Sequence, residues 1–244
     1  MNKLKLILLG AALLSLPIST NAQNESDYGR YMSTAQDASI LYRGKQAMRY
    51  QMLYNGTYLW FPAQFEKGDL VYNGKKYHGI LMNIDAFRQE LLIKHPNNVV
   101  TIVLNGNFVG DFDIGGQPFV NLAAKGFKNA REGYSQVLYK GGASLYKHIE
   151  KSFDSDVNLQ NGAAIGYVDP NFRKDVYDFF SQRIFYYLEK DGVLTQVKGS
   201  SGITNCFPDK KKEIKKHMKR KGLNFKEDPD AYYVEVMNFI DSMR

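Results

Sequence analysis

Short apolar and aromatic runs alternate with two-residue turn signals over most of the chain after residue 38. Asn-Gly pairs stand at 55–56, 73–74, 105–106 and 161–162, and an Asp-Gly pair stands at 191–192. Asn and Asp tolerate positive φ and Gly prefers it, which is what the two central positions of a type I′ hairpin turn require. Because the pairs separate β-type runs, the pattern predicts a mainly β fold, an antiparallel meander of hairpins over residues 38–206.

Three further segments refine this predicted sheet. Gly141-Gly142 breaks the run QVLYKGGASLYKHIEKSF into another candidate hairpin. Residues 99–104, VVTIVL, are almost wholly apolar, so they predict a strand that is covered on both faces. The segment GSSG at 199–202 follows a predicted hairpin strand and is interpreted as a loop.

The apolar positions change to a helical period at the C-terminus. A first helix is predicted from a stripe with spacings of 4, 3 and 4 positions, formed by Phe207, Lys211, Ile214 and Met218. Gly222 occupies the position where a left-handed residue ends a helix. A second helix is predicted to begin with Asp228 as N-cap and Pro229 as first helical residue. Its stripe consists of Tyr232, Val236, Phe239, Ile240 and Met243. Residues 207–244 are therefore predicted to form a two-helix appendage.

The N-terminus has the features of a secretory signal peptide. Two lysines precede an apolar region at residues 6–16, and small residues precede a predicted cleavage site before Gln23. The apolar run is shorter than the roughly 20 residues that span a bilayer. Residues 1–22 are therefore predicted to direct export to the periplasm or outer membrane, without lipid modification because no cysteine is near. The polar residues 23–37 are predicted to be a flexible leader.

Composition favours a folded domain, and the net charge is local. Of the 244 residues, 44% are hydrophobic and 14% aromatic, which excludes wholesale disorder. The formal charge of +7 resides in residues 210–221, KKKEIKKHMKRK, which hold 8 Lys/Arg and 1 acidic residue, whereas the rest of the chain holds 24 of each. The net positive charge therefore comes from these twelve residues and not from the protein as a whole.

The basic run is the first candidate binding surface. Seven of its eight cations lie off the apolar stripe, and five of these are the candidate binding residues of a predicted cationic face: Lys212, Lys215, Lys216, Lys219 and Arg220. Such a face attracts an anionic partner, including an anionic membrane surface; the alternative is a solvated helix face. Export argues against nucleic acid as the partner, and so do the acidic residues of the second helix, Asp228, Asp230 and Glu235.

Aromatic residues form the second candidate surface. Tyr54, Tyr58, Trp60 and Phe61 are close enough in sequence to form a platform on which sugar rings would stack. The alternative is that these rings pack in the core or across strands.

The sequence offers little for catalysis or metal binding. It contains no HExxH, HxH or CxxC pattern, no G-x-S-x-G elbow and no phosphate-binding loop. Asp111 and Asp113 alternate as a strand would and share one face, but one such pair is expected in most chains with this many carboxylates. Cys206, the single cysteine, is interpreted as a small buried residue, with an intermolecular disulfide as the alternative. No catalytic residue, metal ligand or cofactor is predicted.

Two stretches carry a resemblance to a known class of proteins. They are YNGTYLWFPAQFEKGDLVYNGKKYHGILMNID and KKKEIKKHMKRKGLNFKEDPDAYYVEVMNFID. Together they resemble exported, uncharacterised β-rich envelope proteins of the Bacteroidota type. The resemblance implies a compartment and a β-rich fold, and it carries no activity. We therefore expect a non-enzymatic envelope accessory or binding protein, whose partner is an outer-membrane protein complex or a polysaccharide. The alternative is a hydrolase that acts on envelope polymer.

Overall fold

The structure is a computed structural model, and it describes residues 29–30, 32, 34–35, 39–48, 50, 55–62, 64–97, 99–155 and 178–243. The chain divides into two compact units, Met1–Gln36 and Asp37–Arg244. The predicted signal peptide, residues 1–22, lies outside the described residues. The described residues of the first unit have helical backbone, and the flexibility of the leader stays a prediction. The fold below is that of the second unit.

Within the described residues, eleven antiparallel strands form one sheet, so the mainly β prediction is confirmed. The strands are β1 Lys45–Gln46, β2 Glu66–Tyr72, β3 Lys75–Asp85, β4 Glu90–Lys94, β5 Thr101–Val103, β6 Val109–Ile114, β7 Gln117–Val120, β8 Ser135–Lys140, β9 Ser144–Ser155, β10 Asp178–Lys190 and β11 Val193–Val197. Their order across the sheet is β1-β5-β4-β3-β2-β6-β7-β8-β9-β10-β11. Most neighbours in this order are consecutive in sequence, as in a meander.

Three of the predicted turns join neighbouring strands. Asn73 and Gly74, with φ angles of 49° and 75°, connect β2 to β3. Asp191 and Gly192, with φ angles of 52° and 75°, connect β10 to β11. The Gly141-Gly142 pair lies between the paired strands β8 and β9. The hairpins at Asn73-Gly74 and Asp191-Gly192 follow from local backbone preference, because their turn residues adopt the positive φ angles that a type I′ turn requires.

The hairpin predicted at Asn105-Gly106 is wrong. The pair begins a short 3-10 turn, Gly106–Phe108, in which Asn105 Oδ1 accepts a hydrogen bond from Asn107 N at 3.1 Å. The turn carries the chain from β5 to β6, and these strands are not neighbours, because β6 pairs with β2. Residues 51–54, the first half of the hairpin predicted at Asn55-Gly56, lie outside the described residues, as do residues 161–162.

The strand predicted at residues 99–104 is shorter and less covered than expected. Only Thr101–Val103 forms β5, and Val99 is 68% exposed. Ile102 and Leu104 are buried, whereas Thr101 and Val103 are half-buried. The prediction of cover on both faces is wrong, because the face that carries Thr101 and Val103 is only partly covered.

In the described C-terminal region, three helices follow the sheet: α1 Gly199–Asn205, α2 Lys211–Lys221 and α3 Pro229–Ser242. The last two were predicted, with Gly222 in the left-handed conformation after α2 and Asp228 Oδ1 accepting from Ala231 N at 2.9 Å. The interpretation of residues 199–202 as a loop is wrong, because they form the first turn of α1. Tertiary contact holds this turn: Ile203 is fully buried, and Tyr233 OH donates to Gly199 O at 3.0 Å.

The helices pack on one face of β8 to β11 and share its core. Ile203, Ile214, Met218, Tyr233 and Ile240 from the helices join Leu145, Tyr186, Leu188 and Val197 from the strands in one buried cluster. The opposite face of the same strands has its own cluster, formed by Leu122, Tyr146, Tyr187 and Leu194. Residues of the connection between β7 and β8, among them Phe127 and Ala130, pack against this second cluster. Strand alternation explains the division, because successive residues such as Tyr186 and Tyr187 point to opposite faces.

Two aspartates fasten α3 to the sheet. Asp230, in the first turn of the helix, accepts hydrogen bonds from Tyr186 OH and Lys147 Nζ, both at 2.5 Å. Asp241, near the last turn, accepts from Tyr139 OH at 2.8 Å and from the backbone N–H of Gly142 at 3.2 Å. These bonds are charge-assisted, so they are stronger than neutral ones and fix the orientation of the helix at both ends. No helix among the described residues is both long and apolar enough to cross a bilayer.

Candidate functional site

The basic surface of α2 has the geometry that the sequence predicts. Ile214 and Met218 are buried against the rest of the protein, which fixes the rotation of the helix about its axis. The five predicted cations are all exposed: Lys212, Lys215, Lys216, Lys219 and Arg220. We call these five residues the basic face. Among the described residues, none of the five forms an ion pair or a side-chain hydrogen bond with a protein group.

The border of the basic face toward α3 is neutralised. Glu235 accepts from His217 Nε2 at 2.6 Å and forms an ion pair with Lys221 Nζ at 3.2 Å. The hydrogen bond from His217, and then that from Lys221, lower the pKa of Glu235 below its usual value although burial opposes them. The His217 ring also stacks on Phe239, with 3.9 Å between ring centroids. Glu235 therefore offsets charge at the seam between the helices and leaves the five outer cations uncompensated.

Part of this cationic character contributes to the stability of the helix. Lys219 and Arg220 lie in the last turn of α2, together with Lys221, where positive charge interacts favourably with the negative end of the helix dipole, by about 0.3–1 kcal/mol each. Lys212, Lys215 and Lys216 lie outside that turn and have no such contribution. Helix stability therefore does not explain the charges of these three lysines.

The predicted aromatic residues do not form one platform. Trp60 is 6% exposed and packs edge-on against Phe119 at 5.2 Å, and Phe61 packs against the same ring at 6.2 Å. Tyr58 belongs to a different cluster and contacts Tyr50 at 4.5 Å between ring centroids. Tyr54 lies outside the described residues. Because the segment is irregular and not a continuous strand, its rings separate, and the Trp60 ring is covered by the core.

A cavity that the sequence did not predict lies on β2, β3 and β6, and its lining combines ionisable side chains with apolar ones such as Leu70 and Phe112. It has a volume of about 290 Å³ and is lined in part by four ionisable side chains: Asp69, His78, Asp111 and Asp113. His78 Nδ1 lies 2.8 Å from Asp69 Oδ2, and the side chains are 47% and 56% exposed. The backbone N–H of Gly79 donates to Asp69 Oδ1 at 3.2 Å. We call this the His78 cavity.

Hydrogen bonding controls the ionisation of the carboxylate in the His78 cavity. Partial burial acts to raise the pKa of Asp69, but hydrogen bonds from His78 and from Gly79 N outweigh it and hold the pKa below its usual value. Asp113 is also engaged: its Oδ2 accepts from Asp69 N at 3.3 Å and its Oδ1 accepts from Gly116 N at 3.2 Å. Asp69 therefore carries a negative charge at neutral pH and orients the imidazole, while Asp113 supports the adjacent backbone.

The register of the Asn73-Gly74 hairpin could have identified this pair. The turn places Tyr72 opposite Lys75 and Leu70 opposite Tyr77, so the same register places Asp69 opposite His78. A bulge between Gly68 and Leu70 then shifts the remaining pairs by one residue. The alternation that puts Asp111 and Asp113 on one face is also observed, but nothing in the sequence indicates that β6 lies beside β2.

In the described part of the chain, no group of three or more His, Cys, Asp or Glu side chains is arranged to hold a metal ion. Cys206 is half-buried and its thiol donates to Gly202 O at 3.4 Å. Comparison of the chain with protein-family models, with curated proteins and with solved structures gives no match.

Proposed function

We propose that this protein is a non-enzymatic accessory or binding protein of the cell envelope that docks on an anionic lipid surface through the basic face of α2. The observation that carries the proposal is the set of five exposed cations without an acidic partner among the described residues. Long-range attraction between such a face and anionic headgroups contributes roughly 1 kcal/mol per cation close to the surface. This energy is sufficient for reversible association.

The shape of the face favours a flat partner over a small ligand. The five side chains project from the outer side of a single helix whose inner side is anchored by Ile214 and Met218. A convex ridge of lysines cannot enclose a small molecule, since binding pockets for small ligands are concave. A planar array of headgroups can contact all five cations together. The hydrogen bonds that Asp230 and Asp241 accept from the sheet hold α3 in a fixed position, and α3 in turn packs against α2.

The test is co-sedimentation of the protein with vesicles. Vesicles of phosphatidylcholine with about one-third phosphatidylglycerol are compared with vesicles of phosphatidylcholine alone at increasing salt, because salt shortens the screening length from about 10 Å at 0.1 M to about 3 Å at 1 M. We expect binding to the anionic vesicles only, lost at high salt. Replacing the five cations of the basic face by Gln should weaken binding at least about tenfold.

A matched variant controls for net charge. It replaces five exposed cations elsewhere by Gln: Lys67, Lys125, Lys128, Lys140 and Arg183. If position matters, this control binds as the wild type does. Equal loss in the two variants would show that net charge alone acts and would contradict the proposal. Binding to an acidic polysaccharide that the five-Gln variant of the basic face loses, without binding to vesicles, would replace the lipid surface by a polymer partner.

A second candidate function, hydrolysis of an envelope polymer, has one observation in its favour. In the His78 cavity a carboxylate orients an imidazole, which is the arrangement of a general base, and two further carboxylates line the same cavity. The test is release of reducing ends or soluble fragments from isolated envelope polymer. Turnover by the wild type that His78→Asn abolishes, while the five-Gln variant of the basic face retains it, would favour the hydrolase.

A further inference from the structure

A groove at the β1 side of the sheet has the composition of a ligand site. It has a volume of about 580 Å³ and lies between the turn at residues 40–42, the β2–β3 turn and the connection from β5 to β6. Its lining includes apolar, cationic, acidic and amide side chains: Ile40, Arg43, Lys45, Glu90, Asn105 and Phe108. We call it the Phe108 groove. Its volume is within the range of about 300–1,000 Å³ that small-ligand sites occupy.

An exposed aromatic ring, Phe108, lines the groove, and hydrogen bonds hold its backbone in place. Phe108 is 50% exposed, yet its carbonyl oxygen accepts from Asn73 N at 2.8 Å and its own N–H donates to Asn105 O at 3.0 Å. The ring packs edge-on against the buried Tyr72, with 6.1 Å between ring centroids. Ile40, 40% exposed, adds a second apolar surface. A large ring that is held in place and half open to solvent is a preformed stacking surface, because little ordering entropy is left to lose on binding.

Two cations, Arg43 and Lys45, line the same groove. Arg43 and Lys45 are exposed, and in the described residues neither side chain has an ion pair or hydrogen bond with a protein group. Gly44 between them allows this: a Cβ there would lie 2.5 Å from Ile102 Cγ2 and 2.5 Å from Val103 O. The glycine therefore lets the chain approach β5 and brings both cations to the groove. An Arg guanidinium binds a carboxylate in a bidentate manner, and a neighbouring Lys adds charge.

Two polar groups complete the lining with complementary roles. Asn105 Oδ1 accepts from Asn107 N at 3.1 Å, so its amide NH₂ is the part that can donate to a ligand. Glu90 is half-buried and supplies a carboxylate that accepts from hydroxyl groups. A ligand that fits must therefore combine an apolar face, an anionic group and several hydroxyls. A carboxylated sugar has all three.

We propose that the Phe108 groove binds an acidic saccharide, with the sugar face on Phe108, its carboxylate on Arg43 and Lys45, and its hydroxyls on Glu90 and Asn105. This surface is distinct from the basic face of α2, which belongs to a different part of the chain. The two proposals are therefore independent, and the failure of one does not affect the other.

The test is isothermal titration calorimetry of the protein with short oligosaccharides that carry a carboxylate. The probes are tri-galacturonic acid, a hyaluronan tetrasaccharide and a sialylated trisaccharide, with the methyl ester of tri-galacturonic acid as the neutral counterpart. We expect at least one acid to bind, and its affinity to exceed that of a neutral probe at least about tenfold, because the neutral probe leaves the two cations without a partner. Failure of all three acids to bind at millimolar concentration would overturn the proposal.

Variants with matched controls assign the binding to the groove. Phe108→Ala should weaken binding at least about tenfold, whereas Phe87→Ala, which removes another exposed ring, should not. The double variant Arg43→Gln, Lys45→Gln should abolish the preference for the acid, whereas Lys125→Gln, Lys128→Gln should retain it. Unchanged thermal unfolding of each variant shows that the fold is intact. Binding that is lost only in the five-Gln variant of α2 would place the saccharide there and contradict the proposal.

Discussion

Two regions of the sheet, one at its β11 end and one near its middle, differ in how their faces are covered. Strands β8 to β11 are covered on both faces, by the three helices on one side and by the connection between β7 and β8 on the other. Strands β2 and β6 and the first half of β3 bury one face, with Leu70, Tyr77 and Phe112, and leave the other open. Asp69, His78 and Asp111 project from that open face.

The difference shows where a side chain contributes to stability and where it is available for binding. In the doubly covered region, both faces carry residues buried against a packed layer, such as Tyr186 and Tyr187, so a substitution at either of these costs stability. On the open face, the alternating residues contact solvent and form concave surfaces instead. The His78 cavity lies on this open face, whereas the basic face lies on the outer surface of the covering layer.

Removal of residues 207–244 is expected to have the largest effect. It deletes α2 and α3 and exposes Leu145, Tyr186, Leu188 and Val197, which are buried against them. Each of these side chains loses roughly 1.5–3 kcal/mol on exposure, whereas a whole domain has about 5–15 kcal/mol of stability. We expect the truncated chain to lose cooperative thermal unfolding in circular dichroism. A truncated chain that unfolds cooperatively near the midpoint of the full chain would show that residues 207–244 are a separable appendage.

Single substitutions in one hairpin should reproduce the contrast between covered and open positions. Leu188, on β10, is 1% exposed in the shared core, whereas Val193, at the start of β11, is 63% exposed. Leu188→Ala should lower the free energy of unfolding by about 2–5 kcal/mol, because it leaves a cavity. Val193→Ala should change it by less than about 0.5 kcal/mol. Urea denaturation measures both free energies of unfolding. A similar loss at the two positions would contradict the contrast between buried and exposed positions.

The sequence predicted those parts of the fold that depend on local preference. The Asn73-Gly74 and Asp191-Gly192 turns need only their own residues to adopt positive φ, and the rotation of α2 follows from the spacing of Ile214 and Met218. The exposure of the basic face was predictable for the same reason. The helix at Gly199–Asn205 was not predictable in this way, because its glycines and serines have weak helix propensity and a buried Ile203 decides its conformation.

Contacts between distant segments account for the remaining differences. Nothing near Val109 or Asn105 in sequence indicates that β6 pairs with β2 and not with β5, since that choice depends on how the whole sheet closes its core. The Phe108 groove depends on the same non-local pairing, and so does the position of Asp111 and Asp113 in the His78 cavity. The Asp69–His78 pair is an exception, because the register of one hairpin suffices to find it.

A buried histidine on β9, His148, is expected to make the free energy of unfolding depend on pH. His148 lies on β9, its side chain is fully buried, and its Nδ1 donates to Tyr134 O at 2.9 Å. Burial lowers its pKa; the hydrogen bond to Tyr134 and the charge of Glu150, 3.8 Å from Nε2, oppose this, and Arg131 acts in the same direction as burial. The net direction is downward, so the folded protein takes up this proton less readily than the unfolded chain.

The sign of the effect follows from linkage. Stability is fully present above the unfolded pKa of about 6.5 and is lost as the pH falls from there toward the lower folded pKa. In His148→Asn, whose amide can still donate to Tyr134 O, this acid loss should disappear, whereas His78→Asn on the open face should retain it. Urea midpoints between about pH 4 and 8 provide the measurement. Identical pH profiles for the wild type and His148→Asn would contradict the assignment.

The smallest effect on stability is expected at the open face. His78 and Asp69 are about half exposed, and exposed ion pairs typically contribute only about 0–1 kcal/mol. Asp69→Asn should therefore lower the free energy of unfolding slightly at neutral pH. The loss should vanish in acid, because a carboxylate whose pKa is lowered by folding stabilises only while it is ionised. Lys67→Gln, at an exposed position on the same strand β2, serves as the control. A loss above about 2 kcal/mol in Asp69→Asn would show that this face is part of the structural core, because breaking a buried charge pair costs this much or more.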